Sequence, residues 1–105
     1  MSSWQRFSFI EQMANIAVEF HRMIRWKNNP HQFEALFYRV IDLIVLTIED
    51  PKNKNTHRVK ELCRLKSIII DGYLGGKEFK TNLEDLTKYF DSFLEYYYNT
   101  KKFKK

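Results

Sequence analysis

Ser8-Phe9-Ile10-Glu11-Gln12-Met13-Ala14-Asn15-Ile16-Ala17-Val18-Glu19-Phe20-His21-Arg22-Met23-Ile24 is the stretch from which the fold class is read. Phe9, Met13, Ile16, Phe20 and Ile24 recur at steps of three and four, so at the helical repeat they share one stripe, while Glu11, Asn15, Glu19 and Arg22 fall elsewhere. Ser8 followed by Glu11 is a capping box, in which each side chain satisfies a backbone N–H that the first helical turn leaves unpaired. The spacing predicts an amphipathic helix over about 8–27.

The same grammar repeats along the chain. Asn28-Asn29-Pro30 stops the first helix and starts a second, because Asn29 suits the N-cap and Pro30 the first helical position, where its missing N–H costs nothing. The second helix, over about 30–49, carries Phe33, Leu36, Phe37, Val40, Ile41, Ile44 and Ile48, and Leu43, Val45 and Leu46 widen its stripe beyond one face. Pro51 ends it and opens a polar loop to Asn55; Thr56 is then the cap of a third helix over about 57–74. Val59, Leu62, Cys63, Ile69, Ile70 and Tyr73 are its inward set, and Gly75-Gly76 is its stop, with Gly72 weakening the last turn. Thr81 and Glu84 repeat the capping-box pattern ahead of Leu83, Leu86, Phe90, Phe93, Leu94 and Tyr97, giving a fourth helix over about 82–99. Lys101-Lys102-Phe103-Lys104-Lys105 reads as a basic tail that frays, at the end of a single four-helix domain over about 1–100.

Composition narrows the alternatives. A chain of 105 residues has room for one core, and 44% hydrophobic residues with only 3 Gly and 2 Pro exclude disordered, collagen-like and loop-rich all-β chains. Short connections make consecutive helices antiparallel neighbours, so the expected fold is all-α, an up-and-down antiparallel four-helix bundle. The sole cysteine, Cys63, rules out an intramolecular disulfide and reads as a small buried hydrophobe. No apolar run approaches the length of a membrane span and no secretory leader is visible, so the expected location is the cytoplasm.

Catalytic patterns are wanting. His21, His31 and His57 have no ligand-like spacing to one another, Glu-x-x-His is absent, and Gly75-Gly76-Lys77 lacks the frame of a phosphate loop, so no metal, cofactor or catalytic residue is expected. The charge is informative: net +5, with residues 51–105 holding 13 Lys/Arg against 7 Asp/Glu. Lys52, Lys54, Arg58, Lys60, Arg64 and Lys66 form a cluster opposed locally only by Glu61, a candidate anion or nucleic-acid contact whose binding would depend strongly on salt. Tyr96, Tyr97 and Tyr98 spread round the helix and cannot all face one core. With Trp4, Trp26, Leu43 and Leu46, Tyr96 and Tyr98 are candidate interface residues, and a homodimer through the second or fourth helix is the expected assembly.

Arg64-Leu65-Lys66-Ser67-Ile68-Ile69-Ile70-Asp71-Gly72-Tyr73-Leu74 resembles the late-helix motif of HEPN-type four-helix proteins, in which an arginine precedes a histidine often followed two positions on by a tyrosine. Arg64 and Tyr73 match, but Asp71 stands where the histidine belongs, and the family's ribonuclease activity rests on that histidine. The resemblance therefore points to the degenerate members that accompany minimal nucleotidyltransferases as binding subunits, with a divergent nuclease built on Arg64, Asp71 and Tyr73 as a lesser alternative. Ser2-Ser3-Trp4-Gln5, Glu11-Gln12 and Asp50-Pro51-Lys52-Asn53-Lys54 are also similar to a group of short prokaryotic proteins, a resemblance that implies no activity. The functional expectation is a non-enzymatic, self-associating accessory or binding subunit for another protein; the alternative is an RNA- or DNA-binding accessory protein using the basic third helix and tail.

Overall fold

The computed structural model describes residues 3–103. It is all-α, with four helices, α1 (Phe9–Arg25), α2 (Pro30–Glu49), α3 (His57–Tyr73) and α4 (Leu86–Phe103), and short 3-10 turns at Ser3–Arg6, Pro51–Asn53 and Leu83–Asp85. Local chemistry sets most boundaries. Ser8 Oγ accepts from Glu11 N at 3.1 Å while Glu11 Oε1 accepts from Ser8 N at 3.0 Å, closing the capping box of α1. Asn29 caps α2 ahead of Pro30, and Thr56 caps α3. At the other end of α3, Gly76 N donates to Asp71 O at 2.8 Å and Gly75 N to Gly72 O at 3.4 Å, with both glycines at positive φ. That is the paired closure of a Schellman stop, whose left-handed residues glycine supplies without a Cβ clash.

α1 packs on both α2 and α4, and α2 also packs on α3. The centre is dry: Met13, Ile16, Ala17, Phe20 and Met23 of α1, Val40 and Ile44 of α2, Ile69 of α3 and Phe90 of α4 are all fully buried. Phe20 and Phe90 lie 4.7 Å apart between ring centroids, so this one contact joins α1 to α4 with two side chains each worth about 1.5–3 kcal/mol when buried. Phe37 and Tyr73 stack at 3.9 Å and 9°, joining α2 to α3. α3 meets α4 through a hydrogen bond, Tyr89 Oη donating to Glu61 Oε1 at 2.9 Å.

Several expectations are corrected. α4 begins at Leu86, not near residue 82, because Asn82 rather than Thr81 does the capping: its Oδ1 accepts from Glu84 N at 2.9 Å and starts a separate 3-10 turn. α4 then continues through Lys101, Lys102 and Phe103, three of the residues assigned to a fraying tail; Lys104 and Lys105 lie outside the described residues. Cys63 is exposed, and Leu65 takes the inward position instead. Gly72 also has a packing reason: a Cβ there would stand 2.7 Å from Leu83 Cδ2 and 2.9 Å from its Cγ.

Candidate functional site

Four surfaces and clusters are candidates, and the first is the basic face of α3. The helix puts Lys60 and Arg64 one turn apart, and Lys54 precedes the Thr56 cap. The structure divides the six basic residues of the cluster. Lys52 Nζ is committed internally, donating to Gln5 O at 2.9 Å, to Phe7 O at 2.8 Å and to Asp50 Oδ2. Arg58 is half-buried, donating to Asn53 Oδ1 at 3.4 Å and lying 4.5 Å over the Phe9 ring. Lys54, Lys60 and Arg64 are exposed and Lys66 is half-buried, and none of the four has an ion-pair partner among the described residues. Lys52 and Arg58 are therefore structural, and four cations remain for an anion.

Arg64, Asp71 and Tyr73 do not form one site. Both Asp71 oxygens are taken by the backbone, accepting from Glu78 N at 2.9 Å and Phe79 N at 3.0 Å, so this carboxylate folds the loop between α3 and α4. Tyr73 is stacked on Phe37, with Phe33 at 5.3 Å, and its phenol pKa is raised by burial and by the neighbouring Glu34. Arg64 points to solvent without either of them. Among the described residues no group of three or more His, Cys, Asp or Glu is placed to hold a metal ion. Nor is any helix there long and apolar enough to cross a membrane.

The third candidate is apolar. Of the expected interface residues, Trp26, Leu46, Tyr96 and Tyr98 are exposed, whereas Leu43 belongs to the core and Trp4 packs against it. Leu43 and Trp4 are thus corrected from interface to interior roles. Sequence reasoning missed Val18, Tyr38, Leu74 and Phe79, which are also open to solvent. Val18 and Tyr98 share a groove of about 190 Å³ between α1 and α4 with Ala14, Asn15, Leu94 and Tyr97. A cleft of about 280 Å³ at the other end is lined by Ile24, Phe33, Gly72 and Leu83 and bridged by the Lys27–Glu84 ion pair. Leu74 and Phe79 had a visible signal, since both stand next to or within a glycine-marked loop where helical periodicity has ended.

The fourth is a buried polar cluster that the sequence reading did not anticipate. Gln12, Thr47, Asp50 and Asn53 are all buried. Gln12 Nε2 donates to Asp50 Oδ2 at 2.7 Å and to Trp4 O at 3.1 Å; Trp4 Nε1 donates to Thr47 Oγ1 at 3.0 Å; Asn53 Nδ2 donates to Thr47 O at 2.8 Å. Burial alone pushes the Asp50 carboxyl up, but hydrogen bonds from Lys52 and Gln12 outweigh it and hold its pKa below the ordinary value. No buried side-chain N or O among the described residues lacks a partner, so the cluster is saturated and holds the N-terminal turn against the α2–α3 loop. It is a latch, with no orphan group to offer a ligand.

Comparison with known protein families, with curated proteins and with solved structures finds no match.

Proposed function

We propose that this chain is a non-enzymatic helical interaction protein of the cytoplasm, an up-and-down antiparallel four-helix bundle that self-associates and serves as an accessory or binding subunit for another protein. The observation that carries the proposal is the open α1–α4 groove, where Val18 and Tyr98 are 46% and 61% exposed beside Leu94. Large apolar side chains grouped in a concave seam are what interface centres are made of, whereas single scattered ones mean nothing. The saturated latch and the dispersal of Arg64, Asp71 and Tyr73 support an accessory role over catalysis. On the HEPN resemblance the partner is a small nucleotidyltransferase, and the pairs Phe20–Phe90, Phe37–Tyr73 and Tyr89–Glu61 support the up-and-down order. Sedimentation equilibrium at micromolar concentration tests self-association: a dimer that Val18→Glu with Tyr98→Glu converts to monomer is expected, and a wild-type species of 12.8 kDa overturns it.

A second reading, binding of RNA or DNA, is favoured by one observation: Lys54, Lys60, Arg64 and Lys66 are left without acidic partners on the same helix and its approach. Lys60 and Arg64, one turn apart on α3, raise the local potential that attracts a polyanion.

A further inference from the structure

We infer that the outer face of α3 is a phosphate-backbone contact surface for double-stranded nucleic acid, recognised by charge and not by base sequence; the inference rests on the second reading above. Lys60 and Arg64 stand about 6 Å apart along the axis and about 40° apart around it, so both cations leave the helix on one side. Lys54, exposed ahead of the Thr56 cap, adds a third charge near the helix start, whereas half-buried Lys66 leaves the helix about 120° round from Lys60 and about 160° from Arg64, off this side. Cys63 and Ser67, exposed on the same side as Lys60 and Arg64, are both small and leave those charges open. The one carboxylate in this stretch, Glu61, accepts the Tyr89 hydroxyl and is held toward α4.

The partner's chemistry follows from what the face contains. Single strands are gripped by rings on which bases stack, and α3 exposes no Phe, Tyr or Trp on this face. Base-edge reading wants Asn, Gln or a paired arginine fork at a groove, whereas isolated lysines and one arginine neutralise phosphates. An acidic protein surface is disfavoured because interface centres exclude lysine and gather apolar side chains, and the exposed apolar residues of this chain lie elsewhere, on α1, α2, α4 and the loops. A duplex, by contrast, presents one charge per about 1.7 Å, which suits a short row of unpaired cations.

Fluorescence anisotropy with a labelled 20-base-pair DNA duplex, its single strand and a polyglutamate of equal charge tests this across a potassium chloride series. Three neutralised phosphates, at Lys54, Lys60 and Arg64, give an expected log–log salt slope of about −2.7. Lys60→Glu with Arg64→Glu should weaken duplex binding by about tenfold or more and flatten the slope by about two, while the charge-matched Lys77→Glu with Lys88→Glu should cost less than about threefold. All four positions are exposed, so circular dichroism of both variants should match the wild type. Equal losses from the two variants overturn this face while leaving nucleic-acid binding standing; no duplex binding at the lowest salt overturns both. Tighter binding of the single strand, or equal binding of polyglutamate, overturns the duplex assignment.

Discussion

Gln12 on α1 donates its side-chain N–H to the carboxylate of Asp50 at 2.7 Å, across 38 residues of sequence and out of reach of water. A buried carboxylate is tolerated because Gln12 and Lys52 both supply donors, and removing one leaves the other groups unsatisfied in a dry setting. Gln12→Leu is therefore expected to lower unfolding stability by about 1–3 kcal/mol in urea titration. A change under 0.5 kcal/mol, the ordinary scatter of neutral surface substitutions, would show that the latch does not matter.

The acid limb follows from the same contact. A carboxyl whose pKa is lower in the folded than in the unfolded chain contributes stability above its unfolded pKa, and that contribution fades as pH falls through the folded pKa. Wild type and Asp50→Asn should thus differ most above the ordinary carboxylate range and converge as pH falls below it in urea midpoints. Curves that stay parallel over that range would reject the linkage.

Lys52 and Lys54 look alike in the sequence and should behave differently. Lys52→Met removes donors to two backbone carbonyls and a buried carboxylate, with an expected loss of about 1–2 kcal/mol given its partial exposure. Lys54→Met should stay within about 0.5 kcal/mol, as surface substitutions do. Thermal melts of the two variants side by side are the measurement, and equal melts contradict the assignment.

Gly72→Ala sets two effects against each other. Alanine gains about 1 kcal/mol of helix propensity, but its Cβ would drive into Leu83 Cδ2 and Cγ, an overpacking that costs about 1–3 kcal/mol. The branch atom of Leu83 cannot swing aside as a chain end can, so a net loss of about 1 kcal/mol is expected. A more stable variant in urea unfolding would mean that Leu83 repacks freely.

Cys63 supplies the simplest check. An exposed thiol should react with a chromogenic disulfide reagent in native buffer at a rate within about tenfold of the urea-unfolded chain. Protection by more than about a hundredfold would return it to the core.

How the fold and the candidate surfaces were legible is clear from particular residues. Ser8, Asn29-Pro30, Thr56 and Gly75-Gly76 act on backbone within a few residues of themselves, so their reading survives into the structure. Periodicity likewise places Phe20, Ile44 and Phe90 in the core. Cys63 misled because hydrophobic scales rank it with core residues, while the helix turned Leu62, Leu65 and Ile69 inward and left it outside. Thr81 lost the cap to its neighbour Asn82, which a pattern match cannot arbitrate. The latch was invisible for another reason. Gln12 and Asn53 look like surface polars until α1 and the α2–α3 loop are brought together, and only long-range geometry shows that Lys52 is consumed while Lys54 is not.

The latch has a bearing on the order in which the nascent chain matures. Its hydrogen bonds all lie between Trp4 and Arg58, so the α1–α2 half can fasten while the ribosome is still making α3. Phe20, however, waits for Phe90, which is translated only after α3 is complete. At ~5–20 residues per second that delay lasts a few seconds, during which one flank of α1 meets water or a chaperone in place of α4.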